Sequence, residues 1–283
     1  MRELVNLPPL DYLAVGHVAV DLTPAGEQLG GTVAYAALTA HALGLRAGIV
    51  TSHGPLPPLQ ALDGISIVSV PSTFSTTYEN RNTAQGREQI LHRQAGHLSL
   101  EDIPTVWRET PIIHLAPIAQ ELDPQMPARL SPSFLGITPQ GWLRTWDENG
   151  RVSACDWKDS DPSLQLAGAV VVSQDDVRHN LEQVEWMAHQ TRVLCLTEGR
   201  AGAVMHWHGD RRRFRPPEVV EVDSTCAWDI FAAALFVRLS ATHDPWEAAR
   251  FATQLAARSV TRIGLNGIPT RTEIDRCLME VLS

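Results

Sequence analysis

Short runs of nearly continuous apolar residues recur along the chain, separated by segments whose apolar positions follow a helical period. Tyr12-Leu13-Ala14-Val15, closed by Gly16, reads as a buried strand; residues 18–22 continue extended into the turn Pro24-Ala25-Gly26. Gly30-Gly31 opens a helix of small residues over about 32–43, with Gly44 as its C-cap. Residues 46–51 and 65–70 are the next strands, and this strand–helix–strand order predicts a parallel sheet with crossover helices. Four later runs, 112–116, 134–138, 169–173 and 193–197, are apolar at successive positions, as strands covered on both faces require. A helical pattern covers 177–189, and 203–207 with 212–214 reads as a hairpin. A strand is predicted over 219–222, followed by helices from 227 to 239 and from 245 to about 261, the second with Asp244 as N-cap and Pro245 in first place.

Residues 72–97 break the pattern. Thr, Ser and aromatic residues alternate with polar ones, which predicts a small antiparallel flap, with 87–93 as the returning strand. No linker rich in Pro, Gly or Ser divides the chain, so residues 1–283 are expected to form a single domain carrying this flap.

Charge removes some functions from consideration. At −9 the chain is a poor partner for nucleic acid. The basic run Arg211-Arg212-Arg213 reads as a solvated hairpin tip. Lys158 is the only lysine, so a phosphate loop ending in Lys-Ser/Thr is excluded, and phosphate chemistry must use backbone amides, a helix N-terminus, arginine or a metal. Four scattered cysteines without a Cys-x-x-Cys pair, no signal-peptide pattern and no apolar run of spanning length lead us to expect a reduced, cytoplasmic setting without a membrane partner.

The chemistry concentrates at Asp223-Ser224-Thr225-Cys226-Ala227-Trp228-Asp229. Capping residues lead into an apolar helix whose first turn presents free N–H groups and attracts anions. Asp229 falls in that turn, where it could deprotonate a hydroxyl attacking a phosphate held by the same amides. Caps and dipole partners account for these residues equally well on spacing alone.

The turn resembles the C-terminal signature of the ribokinase/PfkB carbohydrate kinases, usually Asp-Thr-Thr-Gly-Ala-Gly-Asp. Four further stretches resemble that family in order: residues 15–21 ending in Asp21, Leu29-Gly30-Gly31-Thr32, Ser173-x-x-Asp176 in place of Asn-x-x-Glu, and Thr197-Glu198-Gly199-x-x-Gly202. The resemblance spans about residues 12–270. It implies a ribokinase-like three-layer α/β/α sandwich with a small β lid, and transfer of the γ-phosphoryl group of ATP to a sugar or polyol hydroxyl with Mg²⁺. Carried over by position, Asp229 would be the base and Thr225, Cys226, Ala227 and Trp228 the anion hole. Asp21, Gly30, Gly31 and Tyr35 would bind substrate, and Tyr35 stands where many relatives have Asn. Thr197, Gly199, Gly202, Thr253 and Gly264 would bind nucleotide, with Asp176 helping to organise the metal. The exposed edges of a lid sheet would suit a homodimer.

Two departures matter. Cys226 and Trp228 replace glycines that give phosphate oxygens room to reach backbone N–H groups. One reading is an active kinase whose indole points away or stacks on a ligand; the other is a degenerate kinase-like protein that binds a small molecule without efficient phosphoryl transfer. A dehydrogenase is disfavoured because no Gly-x-Gly-x-x-Gly follows an early strand. His17 could contact a substrate hydroxyl or simply pack, and Tyr78 and Asn80 could close over a ligand from the flap or stand exposed.

Overall fold

The computed structural model describes all residues except 1–6, 58, 84, 85, 158, 159, 179, 226 and 279–283. Its strands are β1 (Tyr12–Val15), β2 (Ala19–Thr23), β3 (Gly26–Gly30), β4 (Ala47–His53), β5 (Ser66–Pro71), β6 (Thr76–Thr83), β7 (Gly86–Arg93), β8 (Ile112–Leu115), β9 (Phe134–Ile137), β10 (Arg144–Trp146), β11 (Val152–Ala154), β12 (Ala169–Ser173), β13 (Val193–Thr197), β14 (Ala203–Trp207) and β15 (Asp210–Phe214). The α-helices are α1 (Thr32–Ala42), α2 (Asp161–Leu166), α3 (Leu181–Gln190), α4 (Ala227–Thr242), α5 (Pro245–Ser259) and α6 (Arg271–Leu278).

Nine strands make the main sheet, in the order β15-β14-β13-β12-β9-β8-β1-β4-β5. It is parallel from β5 to β13 and ends in the antiparallel β14–β15 hairpin. Successive residues of the central strands serve opposite faces, which explains their unbroken apolar character. Tyr12 and Ala14 join a core with α1, α4 and α5, while Leu13 and Val15 join a second core containing Trp107, Trp142 and Met187. Val171 and Cys195 face the first core, whereas Val170, Val172, Leu194 and Leu196 face the second. The result is the expected three-layer sandwich. The helices α1 and α4 are buried nearly all round, so neither shows a polar stripe. Arg211, Arg212 and Arg213 are exposed but lie on the edge strand β15 rather than at the hairpin tip, His208-Gly209, and so protect the open sheet edge.

The flap is larger than residues 72–97. The β6–β7 hairpin is there, but β2 pairs in parallel with β6 and in antiparallel with β3, giving a second sheet in the order β3-β2-β6-β7. The chain therefore leaves the main sheet at Val15, builds half of the lid, and returns through Gly30-Gly31 into α1. A Cβ at Gly30 would collide with the Asp21 carboxylate, and Gly31 holds φ 91° against the His17 carbonyl. Both glycines are thus set by this crossing.

Three local expectations need correction. Residues 219–222 form no strand: Val220 is 82% exposed, and the segment follows Pro216-Pro217, which can donate no ladder bond. Helix α3 begins at Leu181 rather than 177, because Asn180 caps it by accepting from the N–H groups of Glu182 and Gln183. Tyr78 does not face a ligand site. It is buried inside the lid, and its hydroxyl donates to the Ile118 carbonyl at 2.6 Å. Asn80 accepts from its cross-strand partner Gln89 at 3.0 Å.

Candidate active site

The parallel strands deliver their carboxyl ends to one edge of the sheet, where open α/β sheets place ligands. Along that edge, loops after β12 and β13, the segment 216–225, the start of α4 and one face of α5 enclose a cavity of about 750 Å³. Ser173, Asp175, Asp176, Thr197, Glu198, Gly199 and Gly202 form one wall. Thr225, Ala227, Trp228 and Phe231 lie opposite, with Thr253, Ala256, Ala257 and Val260 from α5 and Pro216-Pro217 closing the apolar end.

Asp229 occupies the third position of α4 and is only 6% exposed. Burial pushes its carboxyl up to about 8; the Thr32 hydroxyl, bonded to it from the first turn of α1, opposes that shift, Asp21 adds to it, Arg144 opposes it and Asp176 adds to it. Its Oδ1 is buried with no hydrogen-bond partner among the described residues. Asp229 thus feels the charge of both Asp21 of the lid and Asp176 of the cavity wall. Beneath it runs a buried chain. The Tyr12 hydroxyl is 2.7 Å from His114 Nδ1, and His114 Nε2 is 2.8 Å from the Thr138 hydroxyl. Desolvation lowers His114 to about 3, so this chain is neutral at physiological pH.

Asp176 is clamped: its Oδ2 accepts from the Ser173 N–H at 3.1 Å and hydroxyl at 2.6 Å, while its own N–H donates to Ser173 Oγ. Its Oδ1 lies 3.7 Å from Arg144. Arg144 comes from the β10–β11 hairpin, which sequence reasoning missed. The available signal was Asp147-Glu148-Asn149-Gly150, an Asn-Gly turn in which Asp147 Oδ1 accepts from the N–H groups of Asn149 and Arg151. This hairpin leans on the lid, since Leu91 N donates to Gly150 O at 2.8 Å and Arg151 pairs with Glu88.

The structural neighbourhood can be put beside known proteins. Residues 165–271 match the family model described as pfkB family carbohydrate kinase. A fructokinase of Escherichia coli is 26% identical over 302 residues, covering 92% of this chain and 97% of the relative. Over residues 165–271 the chain is thus similar to the pfkB carbohydrate kinases. Its fold agrees with solved structures of the ribokinase fold. A pyrophosphate-dependent kinase in the ribokinase family superposes with a TM-score of 0.78 at 18% identity, covering 94% of this chain and 100% of that one. Arabidopsis thaliana ribokinase, solved with ribose and ATP, gives a TM-score of 0.72 at 16% identity, covering 97% and 100%.

The sequence-derived site residues fall into separate groups. Thr197, Gly199, Gly202 and Thr253 meet on the cavity wall, and Asp21, Gly30 and Gly31 meet at the lid crossing. Gly264 belongs to neither the cavity wall nor its apolar end. It lies beside Gln28 and the Tyr35 hydroxyl. Tyr35 is buried against Ile230 and Leu265, a packing role rather than a face open to substrate. His17 also packs: Nε2 donates to the Gly96 carbonyl at 2.8 Å, which leaves Nδ1 to accept from the Thr76 hydroxyl at 2.7 Å. In the anion turn, Thr225 N–H is engaged by Asp223 Oδ1, and Ala227 N–H by Ser224 O, so neither points free toward a phosphate. The amides of Trp228 and Asp229, at the second and third helical positions, lack intrahelical acceptors by helix geometry. Cys226 lies outside the described residues.

Proposed function

We propose that this protein transfers the terminal phosphoryl group of ATP to a hydroxyl of a sugar or polyol held beneath the lid, within a single catalytic domain. The observation that carries this reading is Asp229: a buried carboxyl with an oxygen unpartnered among the described residues, within the field of the lid carboxylate Asp21 and of Asp176 on the cavity wall. In its ionised form it would accept the proton of an acceptor hydroxyl as that oxygen attacks phosphorus. Asp21 would hold a neighbouring hydroxyl. Arg144 would spread its charge over the transferred group, and the first-turn amides of α4 would bind its oxygens.

The cavity suits a nucleotide better than a bare pyrophosphate. Its apolar end, built by Phe231, Ala256, Ala257, Val260 and two prolines, would contribute nothing to binding phosphate alone but matches a purine. The Thr253 hydroxyl on that wall is buried without a partner among the described residues, which fits a ligand hydrogen bond there. Five carboxylate side chains (Asp175, Asp176, Glu198, Glu218 and Glu221) line the cavity against Arg144 and Arg200. A polyphosphate would therefore enter with a divalent cation, and Asp176 with Asp175 offers hard oxygen ligands of the kind Mg²⁺ takes. Bound there, Mg²⁺ would supply neutralisation of phosphate charge.

Trp228 bears on whether the site is degenerate. Its half-buried indole packs on the core shared by α1, α4 and α5, and the cavity keeps its volume with the side chain as a wall. Trp228→Gly is therefore expected to weaken binding of Mg²⁺·AMP-PNP by about tenfold, through lost contact area and a floppier helix start, as titration calorimetry would read. Tighter binding would identify the indole as an obstruction.

A cytoplasmic protein without a nucleic-acid partner fits the acidic composition, and the lid edges β3 and β7 suit a homodimer. Among the described residues, no helix is long and apolar enough to cross a membrane. The activity itself is tested by ADP release over a panel of sugars and polyols with ATP and Mg²⁺. Acceptor-dependent release is expected for at least one; ligand binding without turnover across the panel would leave the degenerate reading.

A further inference from the structure

The turn that leads into α4 is tied to a distant loop. Val222 and Asp223 both donate their N–H groups to the Val260 carbonyl, at 2.7 and 3.0 Å. The Asp223 side chain then divides its oxygens: Oδ1 accepts from Thr225 N–H at 3.0 Å, and Oδ2 accepts from Gly264 N–H at 2.9 Å. The loop carrying Gly264 is itself anchored, because Arg262 pairs with Glu273 of α6 and reaches the Gly267 carbonyl at 3.4 Å. On its other side, Gly264 lies against the lid. With φ at 53°, it presents a surface where a Cβ would stand 3.5 Å from Gln28 Oε1 and 3.8 Å from the Tyr35 hydroxyl. Gln28 is the cross-strand partner of Asp21 on β2 and β3, so their side chains share one face of the lid sheet.

Hydrogen bonds, strand register and close approach together trace a continuous path. It starts at the carboxylate that would hold the acceptor, crosses one strand pair to Gln28, passes through Gly264 to Asp223, and ends on the amide of Thr225. We propose that Gln28, Gly264 and Asp223 act as a strut that sets the geometry of the donor-side anion turn from the position of the acceptor-side lid. Gln28 and Asp223 are then positioning residues for phosphoryl transfer. Neither side chain lines the donor cavity, so any effect they have on the donor must pass through the turn. The inference rests on assigning residues 225–229 to the donor phosphate.

The physical argument is one of shared constraint. A carboxylate holding two amides cannot shift toward one without loosening the other, so a displacement of Gly264 rotates Asp223 and moves Thr225. An acceptor that fixes the lid fixes Gln28, and with it the turn. Linkage then requires the converse, that a bound donor favours the same lid position.

The test compares Mg²⁺·AMP-PNP binding by calorimetry in wild type, Gln28→Ala, Asp223→Asn and the double variant. Gln28→Ala is expected to weaken binding about fivefold and Asp223→Asn about tenfold, with the double variant no weaker than Asp223→Asn alone, because both act through Gly264. Unchanged affinity in Gln28→Ala, or effects that multiply, overturns the strut. Amide hydrogen exchange in the same four proteins without ligand separates this from the donor assignment. Faster exchange at Thr225 in Gln28→Ala supports the strut, and unchanged exchange overturns it. Wild type that fails to bind AMP-PNP, with the exchange response intact, instead counts against the donor assignment.

Discussion

Asp229→Asn is expected to lower kcat by about 10³-fold while making the folded protein more stable at pH 8. Both effects come from the same burial. The carboxyl is pushed up to about 8 from the usual 3.8 of an aspartate, chiefly by desolvation. Between those pH values the unfolded chain is ionised at this site and the folded chain is not. Stability is therefore lost as pH rises from about 4 to 8, at a cost on the order of 4 kcal/mol by pH 7. Asparagine removes the titration but leaves an amide where Oδ1 had no partner, so a net gain of about 1–3 kcal/mol is expected at pH 8 and almost none at pH 4. Urea unfolding of both proteins at the two pH values reads the difference. In the active enzyme, kcat/KM should rise with pH and level off near 8.

Arg144→Met is the second change with a large expected effect, lowering kcat by about 10²-fold through loss of a cation aimed at the transferred charge. The same cation opposes the upward shift of Asp229. Its removal should therefore move the limb of the kcat/KM profile to higher pH, an effect that a simple loss of packing would not produce. Arg144→Lys should restore the limb position more fully than the rate, because an ammonium supplies charge without the planar fork. A pH profile that is unmoved in Arg144→Met would place the guanidinium outside the reacting centre.

The sequence carried the body of this fold well, for a physical reason. Strands such as β12 and β13 are covered on both faces, so their apolar runs begin and end where the ladder does. The caps were equally plain: Asp244 accepts from the N–H groups of Trp246 and Glu247 at the start of α5. What was hidden depends on pairing between distant segments. β2 and β3 read as extended chain, but only their alignment with β6 makes them half of the lid. The three-residue strand β10 has too little pattern to announce itself, so Arg144 went unnoticed even though it reaches Asp176 and influences Asp229.

Local sequence also misled where it was most suggestive. Residues 219–222 have strand composition but no strand to pair with, and the turn before α4 is held instead by the Val260 carbonyl and Asp223. Thr225 looked like an anion-hole donor, yet its amide already serves Asp223. Trp228 looked like a plug, yet it packs as a wall of the cavity that remains. The turn is decided by partners far away in the chain, Val260 and Gly264, whereas Thr225 is claimed by Asp223 two residues before it.

The central claim is that phosphoryl transfer occurs between Asp21 and the donor cavity, with Asp229 as base. ³¹P NMR of wild type and Asp229→Asn, incubated with Mg²⁺·ATP and the acceptor that gives ADP release, tests it most directly. A phosphomonoester signal should grow as the γ-phosphorus signal decays in wild type, and should be nearly absent in Asp229→Asn. Decay into inorganic phosphate alone, or equal phosphomonoester formation in the two proteins, would contradict it.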